Sequence, residues 1–484
     1  MSAASDPFQF AQRIEFAPAS ADALLRSVPA APGVFSLRGE GGEPYLTRTA
    51  DLRRRLRRLL APPEALDDAG QPVLSKRLNL RDRVRSIEYT RTGSDFESTL
   101  LLYHASRAAF GPEEARRRLR LHTPYVLRVT MSHEHPRVYV TNRLSRKSLA
   151  ESFGPFPSRA AAERYCDAVL DLLKLRRCYE DLHPYPEHPG CVYGEMNKCL
   201  MPCKEGNPAA CTPAEYAAEA ARVFAFFRTR GQSLLDEVAA QREAASEAMD
   251  FEAAAALHKH WEKVRAAALL CDELVRPVAE VRAVILQEAA PTETARDEAA
   301  VFLLAHGHLC GPARLSTLGV RAVREQTAVG SSLFAQPLML APVPLDSEPK
   351  PATTPEDRAR AVLDELTAQT ATAASLDEFC DALSLFRRWY YRPEKQRTGE
   401  VFLPNAALSQ QDPAVGWPIR RILNGAARVV LGPPSEAPPV DREAFKDLKT
   451  KVIHAGREGV EKTVPVLPRR RRQKSAATPG SSAA

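Results

Sequence analysis

Four cysteines crowded into one short segment constrain the fold of this chain more than any other feature. Their spacing is Cys178-x12-Cys191-x7-Cys199-x3-Cys203, and Cys211 follows. Soft sulfur donors at this density suit either a tetrahedral zinc ion or an iron–sulfur cluster. The spacing does not decide between them, but the paired C-x2-C knuckles of zinc ribbons are missing, which favours iron–sulfur. We therefore predict a metal or cluster module; unliganded buried thiols are the alternative.

Length and composition indicate a folded protein of several domains. The chain has 484 residues, of which 44% are hydrophobic and 26% charged, and this excludes wholesale disorder and a fibrous repeat. No apolar run approaches the roughly 18 residues that cross a bilayer, and the start lacks the pattern of a signal peptide. Nine cysteines in such a chain do not form a disulfide framework. We expect a cytoplasmic protein with no membrane partner.

Positive charge is concentrated in short clusters, although the net charge is only +7. Residues 53–58 read RRRLRR, residues 116–120 read RRRLR, and residues 469–472 read RRRR. Each Lys or Arg that meets a phosphate releases condensed counterions, so these clusters favour a polyanionic partner. A solvated basic face is the alternative.

Hydrophobic periodicity predicts an α/β and α+β multidomain protein. Strand-like runs and an arginine-rich helix form a small unit near the N terminus, and an Ala-rich stretch forms a helical hairpin that Asp250 caps at its tip. The predicted segments are an N-terminal extension (1–24), an α/β unit (25–110), a linker hairpin with the cysteine-rich region (111–212), the helical hairpin (213–270), an α/β region (271–341), a Pro-rich linker (342–357), a C-terminal mixed region (358–466) and a basic disordered tail (467–484).

Three motifs follow one another in a fixed order: PGVFSLRGEGGEPYLTRTADLRRRL, RRCYEDLHPYPEHPGCVYGEMNKCLMPC and EAMDFEAAAALHKHWEKVRA. In this order they resemble the UvrC excinuclease family of bacterial nucleotide excision repair, and the resemblance covers about residues 25–270. It implies a GIY-YIG nuclease domain, a [4Fe–4S] cluster on the four cysteines with zinc as the alternative, and a UVR hairpin that binds the UvrB helicase. The hairpin tip that meets UvrB is expected at Asp250, Phe251 and Glu252.

The GIY-YIG-like unit differs from the family at the positions of its catalytic residues. The family uses a divalent cation, Mg²⁺ or Mn²⁺, held by a glutamate, together with tyrosine and arginine groups around the scissile phosphate. Matched by position, the first tyrosine is Phe35, a glycine is Thr47, a further tyrosine is Leu59 and the metal-binding glutamate is Leu102, whereas Tyr45 and Arg55 are retained.

Loss of these groups predicts a unit that binds DNA without cutting it. A shifted metal ligand at Glu97 would lie about 140° off the required helix face. The retained arginine, in contrast, has gained neighbours that suit phosphate contact. The predicted DNA-binding residues are Arg53, Arg54, Arg55, Arg57 and Arg58.

The C-terminal half predicts a remnant of the family pattern. Full-length members continue into an RNase H-like nuclease and a tandem helix-hairpin-helix unit, and residues 358–466 lack the motifs of both. The aromatic run at residues 389–391 fits a core better than base stacking. The sequence thus predicts a divergent, truncated UvrC-like protein that binds DNA and UvrB in or beside excision repair. A single-incision GIY-YIG endonuclease and a non-enzymatic UvrB adaptor are the alternatives.

Overall fold

The computed structural model describes residues 8–60, 62, 78–208, 210–292, 297–320, 354–404, 416–431, 450–455 and 460–465. The chain divides into two compact units, residues 1–430 and 431–484. The second contains an antiparallel pair, β13 (Thr450–Ala455) and β14 (Val460–Pro465). The predicted tail at 467–484, and the predicted linker up to residue 353, lie outside the described residues.

The N-terminal part of the first unit forms a four-stranded antiparallel sheet in the order β1-β4-β2-β3. The leucines of its arginine-rich helix recur at helical spacing and pack with Phe35 and Leu37 from the sheet. The elements are β1 (Gln12–Glu15), α1 (Ala21–Ser27), β2 (Gly33–Arg38), β3 (Tyr45–Thr49), α2 (Leu52–Leu60), β4 (Ser86–Arg91), α3 (Asp95–Phe110) and α4 (Pro112–Leu119).

The middle of the chain builds a second sheet, in the order β6-β5-β7-β8, against two helices. Aromatic side chains dominate this core, including Phe153, Tyr165, Phe226 and Phe227. The elements are β5 (Val126–Val129), β6 (Val138–Thr141), β7 (Ser152–Gly154), α5 (Arg159–Leu172), α6 (Val192–Glu195), α7 (Pro213–Thr229) and β8 (Arg276–Pro277).

The helical segment predicted as one hairpin over 213–270 consists of three helices. Helix α7 belongs to the middle core, and the hairpin itself is formed by α8 (Gln232–Glu247) and α9 (Phe251–Ala268). Arg230 and Gly231 separate α7 from α8, with φ values of +54° and +89°. Such left-handed residues end a helix, and glycine adopts the conformation without a steric penalty. The first arm of the predicted hairpin is therefore two helices.

A third four-stranded antiparallel sheet, in the order β11-β10-β9-β12, lies near the C terminus of the first unit. Trp389 is buried in its core, which confirms the prediction for that aromatic residue. The elements are β9 (Ala283–Glu288), β10 (Glu298–Ala305), β11 (His308–Ser316), α10 (Pro355–Gln369), α11 (Leu376–Tyr390), β12 (Glu400–Phe402) and α12 (Ile419–Leu431).

Helix α3 joins the N-terminal sheet to this C-terminal core. It packs on β2 and β3, yet its Phe96 ring lies 5.1 Å from that of Phe302 and 5.2 Å from that of Trp389. The predicted mixture of strands and helices is thus confirmed as α+β, with antiparallel pairing in each described sheet. In the described part of the chain, no helix has the length and apolar character that crossing a bilayer requires.

Candidate DNA interface, thiol cluster and partner hairpin

Helix α2 is strongly amphipathic and carries the predicted DNA-binding arginines. Its sequence, LRRRLRRLL, buries leucines at positions 52, 56, 59 and 60 against the sheet. A helix turns about 100° per residue, so this leucine stripe directs several of the arginines towards solvent. Asp51 accepts a hydrogen bond from the Arg54 amide at 2.9 Å, which satisfies an open N–H group at the start of the helix.

The five predicted arginines divide into two groups. Arg53 Nε donates to the Val28 carbonyl at 2.6 Å, and Arg55 Nη2 donates to the Tyr45 hydroxyl at 3.2 Å. Both side chains are half-buried. Three others are exposed and form no side-chain hydrogen bond or ion pair among the described residues, so they present uncompensated charge: Arg54, Arg57 and Arg58.

Apolar side chains occupy several positions of the family's chemical groups. Phe35 is fully buried and lies opposite Thr47 on β3, and its ring centroid is 6.3 Å from that of Tyr45. Leu59 is buried in the core beneath α2, and Leu102 on α3 is half-buried. One phenol beside one guanidinium is therefore retained, at Tyr45 and Arg55, and no carboxylate stands at position 102.

Glu97 does not replace the missing ligand. Its Oε2 accepts the Gly93 amide at 2.7 Å, and its own amide donates to Ser94 Oγ at 3.0 Å. Burial raises the pKa of Glu97, while the bond from Gly93 lowers it. Gly93 lies in close contact with the backbone at residues 288–290. The Glu97 carboxylate is thus hydrogen-bonded at the start of α3, on the side that faces the C-terminal sheet.

The cysteine-rich segment brings its four predicted ligands into electrostatic range of one another. Burial raises the pKa of Cys199 to about 12, with smaller contributions from Cys178, Cys191 and Cys203. The Met201 amide donates to Cys199 Sγ at 3.3 Å. Arg176 Nη1 lies 3.6 Å from Cys178 Sγ and donates to it. All four cysteines are free thiols.

The chemistry of these donors fits a thiolate-bound group. Four free thiols supply a complete sulfur ligand set, and N–H donors to two of the sulfurs tune such ligands. Within the described ranges, no group of three or more His, Cys, Asp or Glu side chains is arranged to hold a metal ion. The assignment of a cluster or zinc therefore remains a prediction.

The hairpin presents an apolar tip. Asp250 accepts the Ala253 amide at 3.0 Å, which confirms it as the cap of α9. Met249, with φ of +59°, and Phe251 are 77% and 70% exposed, and Glu252 is exposed beside them. Buried side chains occur only near the base, at Leu234, Val238, Val264 and Ala267.

A polar network around Asp381 was not predicted from the sequence. Asp381 on α11 is 3% exposed; it accepts from Tyr103 Oη at 2.9 Å and pairs with Arg116 Nε at 3.0 Å. Arg107 links Tyr103 at 2.9 Å to Glu378 at 2.8 Å. The partners are more than 260 residues apart in sequence, so no local pattern signals them. The network fastens α3 and α4 to α11.

Part of the chain is similar to one known family. Residues 125–226 match the family model of the UvrC/Cho excinuclease middle domain. No solved structure matches the chain. UvrABC system protein C of Idiomarina loihiensis is 28% identical to this chain over 48% of this chain and 36% of its own length. The protein of the same name from Desulforudis audaxviator is 28% identical over 67% of this chain and 51% of its own length. That from Kocuria rhizophila is 31% identical over 49% of this chain and 33% of its own length.

The matched region contains strands β5, β6 and β7 of the second sheet, the thiol segment and most of helix α7. The chain spans about a third to a half of the length of the curated relatives it matches. These matches confirm the resemblance predicted from the sequence motifs: the chain is similar to UvrC proteins, and residues 125–226 match the UvrC/Cho middle domain.

Proposed function

We propose that this protein binds DNA and UvrB in or beside nucleotide excision repair in the cytoplasm, and that its GIY-YIG-like unit does not cut DNA. The observation that carries the proposal is that the N-terminal unit has exposed arginines but lacks the family's catalytic groups. Arg54, Arg57 and Arg58 present free charge to solvent, while Phe35 and Leu102 occupy the positions of a phenol and a metal ligand.

Phosphodiester cleavage requires stabilisation of charge on the phosphate and transfer of a proton. A divalent cation stabilises charge on the phosphate, and a positioned group handles the proton of the attacking water. Leu102 supplies no oxygen to a cation, and Glu97 is held by Gly93. Tyr45 and Arg55 remain able to contact a phosphate, but neither can bind Mg²⁺ or Mn²⁺. The unit therefore retains phosphate recognition without the groups for hydrolysis.

An incision assay tests this proposal. The substrate is a duplex with one bulky lesion, incubated with UvrA, UvrB, ATP and either Mg²⁺ or Mn²⁺, with and without this protein. We expect no additional nick, but a change in the mobility of the UvrB–DNA complex. A nick that depends on this protein would establish the single-incision endonuclease instead. A mobility change without any DNA affinity of the protein alone would favour the adaptor.

The exposed tip of the hairpin supports contact with UvrB. Large apolar side chains that are exposed in the free protein and packed in the complex dominate many interfaces. Phe251→Ala is expected to weaken UvrB binding by about thirtyfold, since hot-spot aromatics contribute about 2 kcal/mol or more. Calorimetric titration of UvrB measures this effect. Leu269→Ala, which removes an apolar side chain as exposed as Phe251 but at the other end of α9, should leave affinity unchanged.

The thiol segment supports a bound iron–sulfur cluster, with zinc as the alternative. When bound, such a group would be held by Cys178, Cys191, Cys199 and Cys203 and would fix the loop that precedes α7. Cys199→Ser is expected to abolish visible absorbance and bound iron in protein purified without oxygen, because one of four ligands is lost. Cys310→Ser, at an isolated cysteine, is the control. Wild-type protein that contains zinc and no iron would contradict the cluster assignment.

A further inference from the structure

We propose that the N-terminal unit carries a nucleotide-binding pocket on the sheet face opposite Phe35. The pocket is a cavity of about 450 Å³ between the sheet, residues 8–10 and the second half of α3. Small-molecule sites typically enclose roughly 300–1,000 Å³, so a nucleotide fits this space. The proposal does not depend on the DNA binding proposed for helix α2.

Strand register separates this cavity from the former nuclease site. Ser36 lies directly across from Leu46 on β3 and from Glu88 on β4, and all three line the cavity. Successive side chains of a strand point to opposite faces, so Ser36 and Phe35 face opposite sides of the sheet. Phe35 packs with the leucines of α2 on its own side. The cavity is therefore a distinct site.

Arg38 on the cavity wall keeps donors that an anion could bind. Glu88 Oε2 accepts from Arg38 Nε at 2.8 Å, and Glu88 Oε1 lies 3.6 Å from Arg13 Nη1. Arg13 Nε also pairs with Glu15 at 3.3 Å, so two carboxylates balance the two guanidinium groups. The Nη atoms of Arg38 form no hydrogen bond among the described residues. They remain available as a pair of donors, the arrangement that arginine uses to bind phosphate.

A buried hydroxyl without a protein partner points to a polar ligand. Ser36 is 1% exposed, and its Oγ has no hydrogen-bond partner in the described part of the chain. An unsatisfied buried hydroxyl costs free energy, which a polar ligand atom in the cavity would recover. Ser36 itself lines the cavity, so its unmet hydrogen bond lies beside the space that a ligand would occupy.

Aromatic and small side chains complete the pocket. The rings of Phe8 and Phe10 lie 5.0 Å apart at an interplanar angle of 88°, and both line the cavity. The wall contributed by α3 consists of Ala105, Ala108 and Ala109, whose short side chains leave room for a planar ring. Aromatic faces stack on nucleobases. A planar ring and an anionic group together define a nucleotide, either free or as one unit of a DNA strand.

Calorimetric titration of the full chain tests the pocket with defined probes. These are deoxyadenosine 5′-monophosphate, deoxyadenosine, inorganic phosphate and a single-stranded deoxyadenosine pentamer. We expect a nucleotide probe to bind more tightly than either deoxyadenosine or phosphate. Arg38→Gln should weaken that binding about tenfold or more, because it removes a charged, bidentate donor.

Two variants distinguish binding from folding. Ser36→Ala should weaken nucleotide binding several-fold without lowering the thermal midpoint of the free protein, because the hydroxyl that it removes is buried and bonds nothing there. Ala108→Phe, at an exposed helix position, should fill the cavity and abolish binding. Arg143→Gln, an exposed arginine in the middle domain, is the matched control and should have no effect.

The outcomes identify the source of the ligand. Arg38-dependent binding of the monophosphate supports a site for free nucleotides, and Arg38-dependent binding of the pentamer alone supports a site for a DNA strand. Binding of neither probe, or binding that survives both Arg38→Gln and Ala108→Phe, would overturn the proposal. Duplex affinity of the α2 arginine variants is a separate measurement, so a failure of the pocket leaves the proposed function intact.

Discussion

Reversal of the three exposed arginines of helix α2, as Arg54→Glu, Arg57→Glu and Arg58→Glu combined, is expected to lower affinity for duplex DNA by about a hundredfold or more at low salt. Each arginine is free of intramolecular ion pairs among the described residues, so its whole charge is available to a phosphate. Three lost contacts should also reduce the slope of log affinity against log salt by about 3. The loss should be the same for unrelated sequences, because phosphate contacts carry no sequence information.

Fluorescence anisotropy with two unrelated duplexes over a range of salt concentrations measures this effect. The reversed side chains are exposed, and the buried leucines of α2 are untouched, so the fold should persist. Arg143→Glu changes an exposed arginine in the middle domain and should have little effect. A triple variant with unchanged affinity would place DNA binding elsewhere. A loss confined to one duplex would contradict phosphate-only contact.

Asp381→Ala should destabilise the first unit by about 3–5 kcal/mol, the usual cost of removing one partner from a buried ion pair. The substitution leaves the Tyr103 hydroxyl without its acceptor and Arg116 Nε without its nearest carboxylate. Because α3 and α4 meet α11 at this point, we expect the N-terminal helices to lose their attachment to the C-terminal core. Urea unfolding, followed by fluorescence, measures the change.

Two milder variants calibrate that result. Asp381→Asn retains an acceptor for Tyr103 and should cost less than the alanine variant. Asp377→Ala removes an exposed carboxylate that also pairs with Arg116, at 3.0 Å, and should cost less than about 1 kcal/mol. Equal losses for Asp377→Ala and Asp381→Ala would show that burial of the pair does not matter.

Local sequence patterns predicted the features that depend on neighbouring residues. The Leu and Arg spacing of α2 indicated an amphipathic helix, and the structure has one over Leu52–Leu60. Asp250 was predicted to cap a helix and does so. Both follow from helical periodicity and from the unsatisfied amides of a first turn. The thiol segment was recognised for a similar reason, since its four cysteines lie close together in the chain.

Two kinds of feature were not predicted. The end of α7 is a local one: Arg230 is in a left-handed conformation, and the single glycine that follows it in an Ala-rich run did not indicate a break. The other kind depends on distant residues, since the network around Asp381 and the cavity at Ser36 arise from pairing between strands and helices far apart in sequence. Local hydrophobic periodicity carries no information about such pairings.

Helix α3 packs in two cores, and the second of these cannot form until late in synthesis of the chain. Phe96 emerges from the ribosome early, but Trp389, which covers it, is made nearly 300 residues later. At about 5–20 residues per second, that interval lasts on the order of 15–60 s. During this time the apolar face of the helix has no final partner. Nascent chains of this protein should therefore require chaperone protection until α11 has been translated.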